Sequence, residues 1–317
     1  MLKKNAAVLT LLVTGSLLAG CTDGKQLKQD AQNALTKQAQ VNYYTFSGDA
    51  DLDIGTPPPA KDANPTTSLL VSLFSKSKLV WSGAVSANPA RMEALLKATP
   101  SGSNTDYGLP MIMKDNRLFL GVPGLSKTDE YYSFDLSKSS SASGFPKLSP
   151  AVSDAAKLLL ADLDTKWFKK DKAPMDFKDG KKGTVIQMEI TEKNRQDVSA
   201  KLQAKLPEMI DVLAKNSLLT ADQADKLKKD MAAHPPELKA PGLISLATDD
   251  TGFIRDEVIR LDYTSKGSDG AAADHHIHLH QSFDNINGEA KFEKDVPKDA
   301  KPIEDLLKTL NQAPAKK

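Results

Sequence analysis

Eleven consecutive residues, 44–54, alternate without a fault. Tyr44, Phe46, Gly48, Ala50, Leu52 and Ile54 fall in one phase, and Thr45, Ser47, Asp49, Asp51 and Asp53 in the other. A period of two over this length predicts a long strand with one buried and one wet face. The preceding segment, residues 25–40, has a different rhythm. It lacks Gly and Pro, is rich in helix formers, and carries a thin stripe of Leu27, Ala31, Ala34 and Leu35, which predicts a helix. After a Pro-rich loop at 55–67 the alternation resumes over 71–85, with Val71, Leu73, Leu79, Trp81, Gly83 and Val85 in one phase.

Short antiparallel signals follow. Residues 90–97 fit either a short helix or a continuing strand. Residues 110–123 read as a hairpin with Lys114, Asp115 and Asn116 at its tip. In 130–136, Tyr132, Phe134 and Leu136 face one way, before a Ser/Gly loop at 138–144. A helix is expected from Ser149, with Pro150 at its first position and a stripe of Val152, Ala156, Leu159, Leu163 and Trp167. Residues 183–191 predict a strand, and 195–218 and 221–233 two helices. The first contains Pro207 and its Met209–Leu213 side reads as core; the second opens with Thr220 and Gln223 at capping-box spacing. A hairpin over 243–264 turning at Asp249–Gly252, a strand at 274–286, a helix at 303–310 and a frayed tail at 313–317 complete the pattern. The order contains no parallel βαβ rhythm and no repeat. It predicts an α+β fold: a large curved antiparallel sheet, a half-barrel, with helices covering its concave face and water on the other.

The chain has 317 residues, 40% of them hydrophobic, enough for the core of one large domain or two small ones. Lys+Arg number 42 and Asp+Glu 41, so no global field attracts nucleic acid. The Lys-rich pieces at 166–172 and 226–230 are interleaved with acids and read as solvated faces. The first residues carry a different signal. Lys3 and Lys4 precede an apolar run at 6–20 that is shorter than the roughly 20 residues of a spanning helix. It ends in Leu18, Ala19, Gly20 and Cys21, the pattern of a bacterial lipobox. Cys21 is the single cysteine and is the expected site of diacylglyceryl attachment after cleavage of residues 1–20. Removing Lys3 and Lys4 takes the formal charge from +1 to −1. The acyl chains give a stable anchor, a short tether spans 21–24, and a single domain is expected over 25–312. The expected location is extracytoplasmic, anchored to the outer leaflet of the cell membrane or elsewhere in the cell envelope.

The lipobox, the helix running into residues 43–54 and the ending at 288–307 (GEAKFEKDVPKDAKPIEDLL) together resemble the bacterial LolA, LppX and RseB type of half-barrel lipoprotein. The resemblance covers the order of elements over most of residues 25–310. It implies that acyl chains are held between a concave sheet and helices. Residues expected to line such a site are Tyr44, Phe46, Leu52, Trp81, Phe134, Ile277, Leu279 and Phe283.

Chemistry is sparse. No G-x-S-x-G elbow, H-E-x-x-H pair or glycine-rich phosphate loop occurs, and no catalytic residue or cofactor is expected. Asp51/Asp53 lie on the polar phase of a strand, Asp249/Asp250 in a turn, and His234 at a helix end. Residues 274–283 (DHHIHLHQSF) hold four of the five histidines. At about 3.3 Å per residue, His276 and His278 stand roughly 6.6 Å apart on one face, a two-ligand spacing. His276 and His280 stand roughly 13 Å apart, too far for one tetrahedral centre with Zn–N bonds of about 2.0 Å. Ile277, Leu279 and Phe283 alternate with them, which puts the histidines on the wetter face. Three readings stay open: a tethered binder of a lipid-like molecule, an envelope sensor that holds a protein partner, and a surface metal binder through His276 and His278.

Overall fold

Asp23 accepts a hydrogen bond from the backbone N–H of Lys25 at 3.0 Å and so caps the first helix, α1 (Gly24–Gln38). The computed structural model describes residues 23–55, 75–122, 130–136, 144–216, 219–266 and 270–312. The signal segment, Cys21, most of the Pro-rich loop, Val71 and Leu73, the Ser/Gly loop up to residue 143 and the tail at 313–317 lie outside the described residues. Among the described residues further α-helices follow: α2 (Gly144–Asp162), α3 (Arg195–Lys215), α4 (Ala221–Ala233) and α5 (Ile303–Gln312). Among the described residues no helix is long and apolar enough to cross a membrane.

Strands β1 (Tyr43–Asp53), β2 (Lys76–Ala87), β3 (Ala90–Pro100), β4 (Tyr107–Lys114), β5 (Arg117–Leu120) and β6 (Tyr132–Asp135) form a meander. Then come β7 (Phe168–Lys170), β8 (Met175–Asp176), β9 (Lys182–Ile190), β10 (Glu237–Leu238), β11 (Gly242–Thr248), β12 (Ile254–Lys266), β13 (Ala272–Asp284) and β14 (Lys301–Pro302). All belong to one open sheet of order β14-β6-β5-β4-β3-β2-β1-β13-β12-β11-β9-β7, with β10 on β12 and β8 on β9. The α+β half-barrel is therefore present. Its turns follow local chemistry. Asp115 and Asn116 both take positive φ, 51° and 58°, at the β4–β5 tip, the left-handed pair that a two-residue hairpin demands. Gly252, at φ 80°, closes the β11–β12 turn, where the Asp249 carboxylate accepts from Thr251 and Phe253 N–H. Residues 90–97 are strand. The Thr220/Gln223 capping box is formed.

Side chains of directly paired residues share a face, so the register sorts the sheet into an inner and an outer side. On the inner face, β7, β9, β11 and β12 meet the helices. Leu27, Ala31 and Leu35 of α1, Leu160 and Leu163 after them, and Val198 of α3 pack with Trp167, Phe168, Ile186, Met188, Ile190 and Ile254. A second inner cluster, Met92, Ala94, Met113 and Leu136 with Phe46, Val85, Met111, Leu118 and Phe134, lies on the β1–β6 half.

Four expectations change. Helix α2 starts at Gly144, not Ser149. Pro146 sits in its first turn, where a missing N–H costs nothing. One member of the stripe departs: Val152 is 52% exposed, while Leu163 and Trp167 are buried, Ala156 and Leu159 pack against the same core, and Ala151, Ala155 and Leu160 are buried beside them. Small residues at 151 and 155 let α2 approach α1, where the Ser153 hydroxyl donates to Leu35 O at 2.8 Å. The outer face does not simply meet water. Ile112 and Phe119 point outward and are covered by Val296 and Ala300 of the segment before β14. Tyr43, on the same side, receives the edge of Phe292 and donates to Lys291 O. Apolar residues in the outward phase of β4 and β5 required that cover. Lastly, the β14–β6 edge pair is parallel.

Ile254 is fully buried. Ile254→Ala is expected to cost about 2–5 kcal/mol, whereas Val152→Ala should stay within about 0.5 kcal/mol. Urea unfolding of the two variants beside the parent chain measures both.

Candidate functional site

All eight residues nominated from the sequence, Tyr44, Phe46, Leu52, Trp81, Phe134, Ile277, Leu279 and Phe283, lie on the inner face. The pairings prove it row by row. Phe134, Leu118, Met113, Met92, Val85 and Tyr44 form the first row. The second runs Tyr132, Leu120, Met111, Ala94, Gly83, Phe46, Phe283. The third runs Leu109, Leu96, Trp81, Gly48, Gln281, Glu257, Leu246, Ile186. The fourth runs Tyr107, Ala98, Leu79, Ala50, Leu279, Ile259, Ile244, Met188. The fifth holds Ser77, Leu52, Ile277 and Leu261. Each of the eight is half-buried. Phe46 and Phe134 pack on the meander cluster and Phe283 on the helix-covered one, so the apolar face is continuous between the two. None of the eight lines either of the two described clefts, although Ile186, at the end of the third row, borders the larger one. One of about 270 Å³ is lined by Lys166, Glu189, Lys193 and Asp197, and one of about 370 Å³ by Asp30, Lys37, Asp249 and Asp250.

Two glycines let aromatic rings lie flat across the sheet. A Cβ on Gly48 would come within 2.7 Å of the Trp81 ring, and one on Gly83 within 2.8 Å of the Phe46 ring. Each ring fills the space that the missing side chain leaves on the neighbouring strand. Crossing β1 over Gly48 brings the Trp81 Nε1–H to Gln281 Oε1, to which it donates. The Gln281 amide in turn donates to Ser47 O at 3.2 Å and Ser282 O at 3.0 Å. Tyr44 meets Phe283 edge-on with ring centroids 5.6 Å apart.

Beside Gln281 in the third row stands Glu257, which the sequence reading passed over. Its carboxylate has no hydrogen-bond or ion-pair partner among the described residues. Burial among the packed strands, with the Asp256 charge next to it, pushes its pKa up to about 7. Burial and then the Glu257 charge raise the Tyr44 phenol above its ordinary range. The available signal was phase: Glu257 alternates with Ile259, Leu261 and Tyr263, so it had to share their face. His275 is also inward, in line with Tyr263, with ring centroids 5.2 Å apart.

The other three histidines of β13 are on the outer face as expected, between acids of both neighbouring strands. His276 Nε2 lies 3.3 Å from Asp51, His278 Nε2 3.2 Å from Asp262, and His280 Nε2 2.8 Å from Asp256. His280 Nδ1 stands 3.6 Å from Asp49. Lys76 and Lys78 meet Asp53 and Asp51 at 3.2 and 3.9 Å. The His276 and His278 rings are 5.0 Å apart, yet their Nε2 atoms address different carboxylates. Among the described residues no group of three or more His, Cys, Asp or Glu could hold a metal ion. His234 caps the end of α4.

Two outcomes are expected. Gly48→Ala should destabilise the chain by about 1–3 kcal/mol and shift the tryptophan emission, because the new Cβ displaces the Trp81 ring; unfolding curves and emission spectra test it. Glu257 holds its proton more tightly in the folded chain, at about 7, than at the ordinary value of 4.5. Its contribution to stability is complete below about 4.5 and is lost as pH rises to about 7. Relative to Glu257→Gln, the parent chain should therefore lose stability between pH 5 and 8, and parallel stability curves would contradict this.

No family model matches the chain, and no curated protein sequence matches it. Among solved structures it is similar to the crystal structure of LprF from Mycobacterium bovis, with a TM-score of 0.38 and 8% sequence identity, over 85% of this chain and 97% of that one.

Proposed function

We propose that the mature chain, anchored outside the cytoplasmic membrane through a diacylglyceryl group on Cys21, binds or carries a lipid-like molecule on the inner face of its sheet. It acts by binding and not by catalysis. The observation that supports this is the continuous apolar face itself. Over the meander half, Phe46, Leu79, Trp81, Leu96, Leu109, Met111, Leu118 and Phe134 are turned to one side and only half covered. Covering a Leu or Phe side chain fully stabilises by about 1.5–3 kcal/mol, so a bound chain of methylenes along these rows has a substantial driving force. The helices already cover the β7–β12 half, which gives such a chain a wall to run under.

Among the described residues the large apolar side chains that are truly exposed, Ile54, Val80, Tyr107 and Val152, are divided among a strand end, the outer face, a strand start and a helix. They form no single patch of the kind that marks a protein partner, and the half-covered inner face favours a ligand over a sensor role. A surface metal role for His276 and His278 is disfavoured because each faces its own aspartate.

Protein purified from its own host without detergent exchange should release an amphiphile at near-stoichiometric yield on organic extraction and mass spectrometry. Leu279→Asp, which sets a charge in the fourth row, should reduce that yield at least several-fold. A parent chain that carries no lipid in native mass spectra contradicts the reading.

A further inference from the structure

Every polar group of the third row except one is already used. The Trp81 indole N–H is given to Gln281 Oε1, and the Gln281 amide is given to the carbonyls of Ser47 and Ser282. What remains is the Glu257 carboxylate, set between Gln281 and Leu246, with Ile259 and Leu279 in the next row and Phe283 in the previous one. An ionised carboxylate is a pure acceptor. Glu257 is half-buried like its apolar neighbours; an acceptor left there without a donor is costly, and a charge without a counter-ion more so. Arg255, the buried cation nearest in sequence, is occupied elsewhere, by Asp179, Asp249, Asp284 and the Phe283 carbonyl. On the outer face, by contrast, Asp49, Asp51, Asp53, Asp256 and Asp262 each have a histidine or lysine close by.

We propose that Glu257 is a headgroup anchor and that the inner face selects amphiphiles carrying a protonated amine. This rests on the lipid-binding reading above and names the chemistry of its ligand. An ammonium group brought to Glu257 supplies both the missing charge and up to three donors, and such charge-assisted bonds are about twice as strong as neutral ones. Its alkyl chain then lies across the rings of Trp81 and Phe46 and the aliphatic rows around them. A carboxylate-headed chain meets like charge at the same point and is rejected. A neutral alcohol can donate one bond and falls between the two.

Trp81 hydrogen-bonds Gln281, which stands next to Glu257, so tryptophan emission reports on the site. The purified, delipidated protein is titrated at pH 8 with decylamine, 1-decanol and decanoate, for both the parent chain and Glu257→Gln. The expected result is decylammonium binding about tenfold more tightly than decanol, a 1.4 kcal/mol preference, with decanoate weakest. In Glu257→Gln the amine and the alcohol should bind within about threefold of each other. Decanol that binds the parent chain as tightly as the amine overturns the anchor and leaves the lipid-binding reading standing. So does an amine preference that survives Glu257→Gln. Absence of binding by all three probes removes the lipid-binding reading, and the anchor with it.

Discussion

The pairing of β1 with β13 is the constraint on which the rest depends. Residues 45–53 lie against residues 276–284 in unbroken antiparallel register, while the other edge of β1 carries β2. The strand nearest the start of the domain is thereby held in the middle of the sheet by one near its end. The meander β1–β6 and the helix-bearing half then become a single surface with a shared inside. A slip of one residue in that register would turn every inward side chain outward. It would set Ala50, Leu52, Ile277 and Leu279 in water and drive the aspartates and histidines under the helices. The phase of β1 and β13 therefore determines both faces at once.

The two halves of the inner face are treated differently. Over β7, β9, β11 and β12 the helices complete a core, with Leu163, Ile190 and Ile254 almost wholly covered. Over the meander the same face keeps its aromatic and aliphatic side chains half covered, and glycines at 48 and 83 let two of the rings lie flat. A sheet face meant only as core would be expected to close completely, since an uncovered ring forgoes burial energy. Glu257 stands on β12 beside β13, at the edge of the helix-covered half, in a row that polar side chains interrupt near its middle. The outer face is divided too. Its centre is a ladder of histidines and aspartates, while the β4–β5 end is sealed by the chain between β13 and β14.

Much of this was legible in the residues. Strict alternation located β1, β2 and β13 and told which phase was wet, and the Asp-Asn tip and the capping box located turns and a helix start to the residue. The eight nominated residues fall on one face because strand phase is a local property. The start of α2 was missed because Pro150 read as a first-turn residue, although the helix already runs from Gly144. Of its stripe, Val152 alone was misplaced, because close packing on α1 selected Ala151 and Ala155 over the larger side chain, while Leu163 and Trp167 are buried as the pattern predicted.

The sequence by itself determined the alternation of the strands, the helix periods, the lipobox pattern at Cys21 and the near-balance of charge, all of which depend on neighbours a few residues apart. Only the tertiary structure decided what stands opposite what. It set Trp81 across Gly48 onto Gln281, ranged Asp51, Asp262 and Asp256 against three histidines, wrapped Val296 and Ala300 over Ile112, and left Glu257 without a partner among the described residues. Contacts of this kind join residues up to 248 positions apart, as in the Tyr43–Lys291 bond. Pattern carries no information about them, because register between distant strands is chosen by the burial of whole faces and not by any local preference.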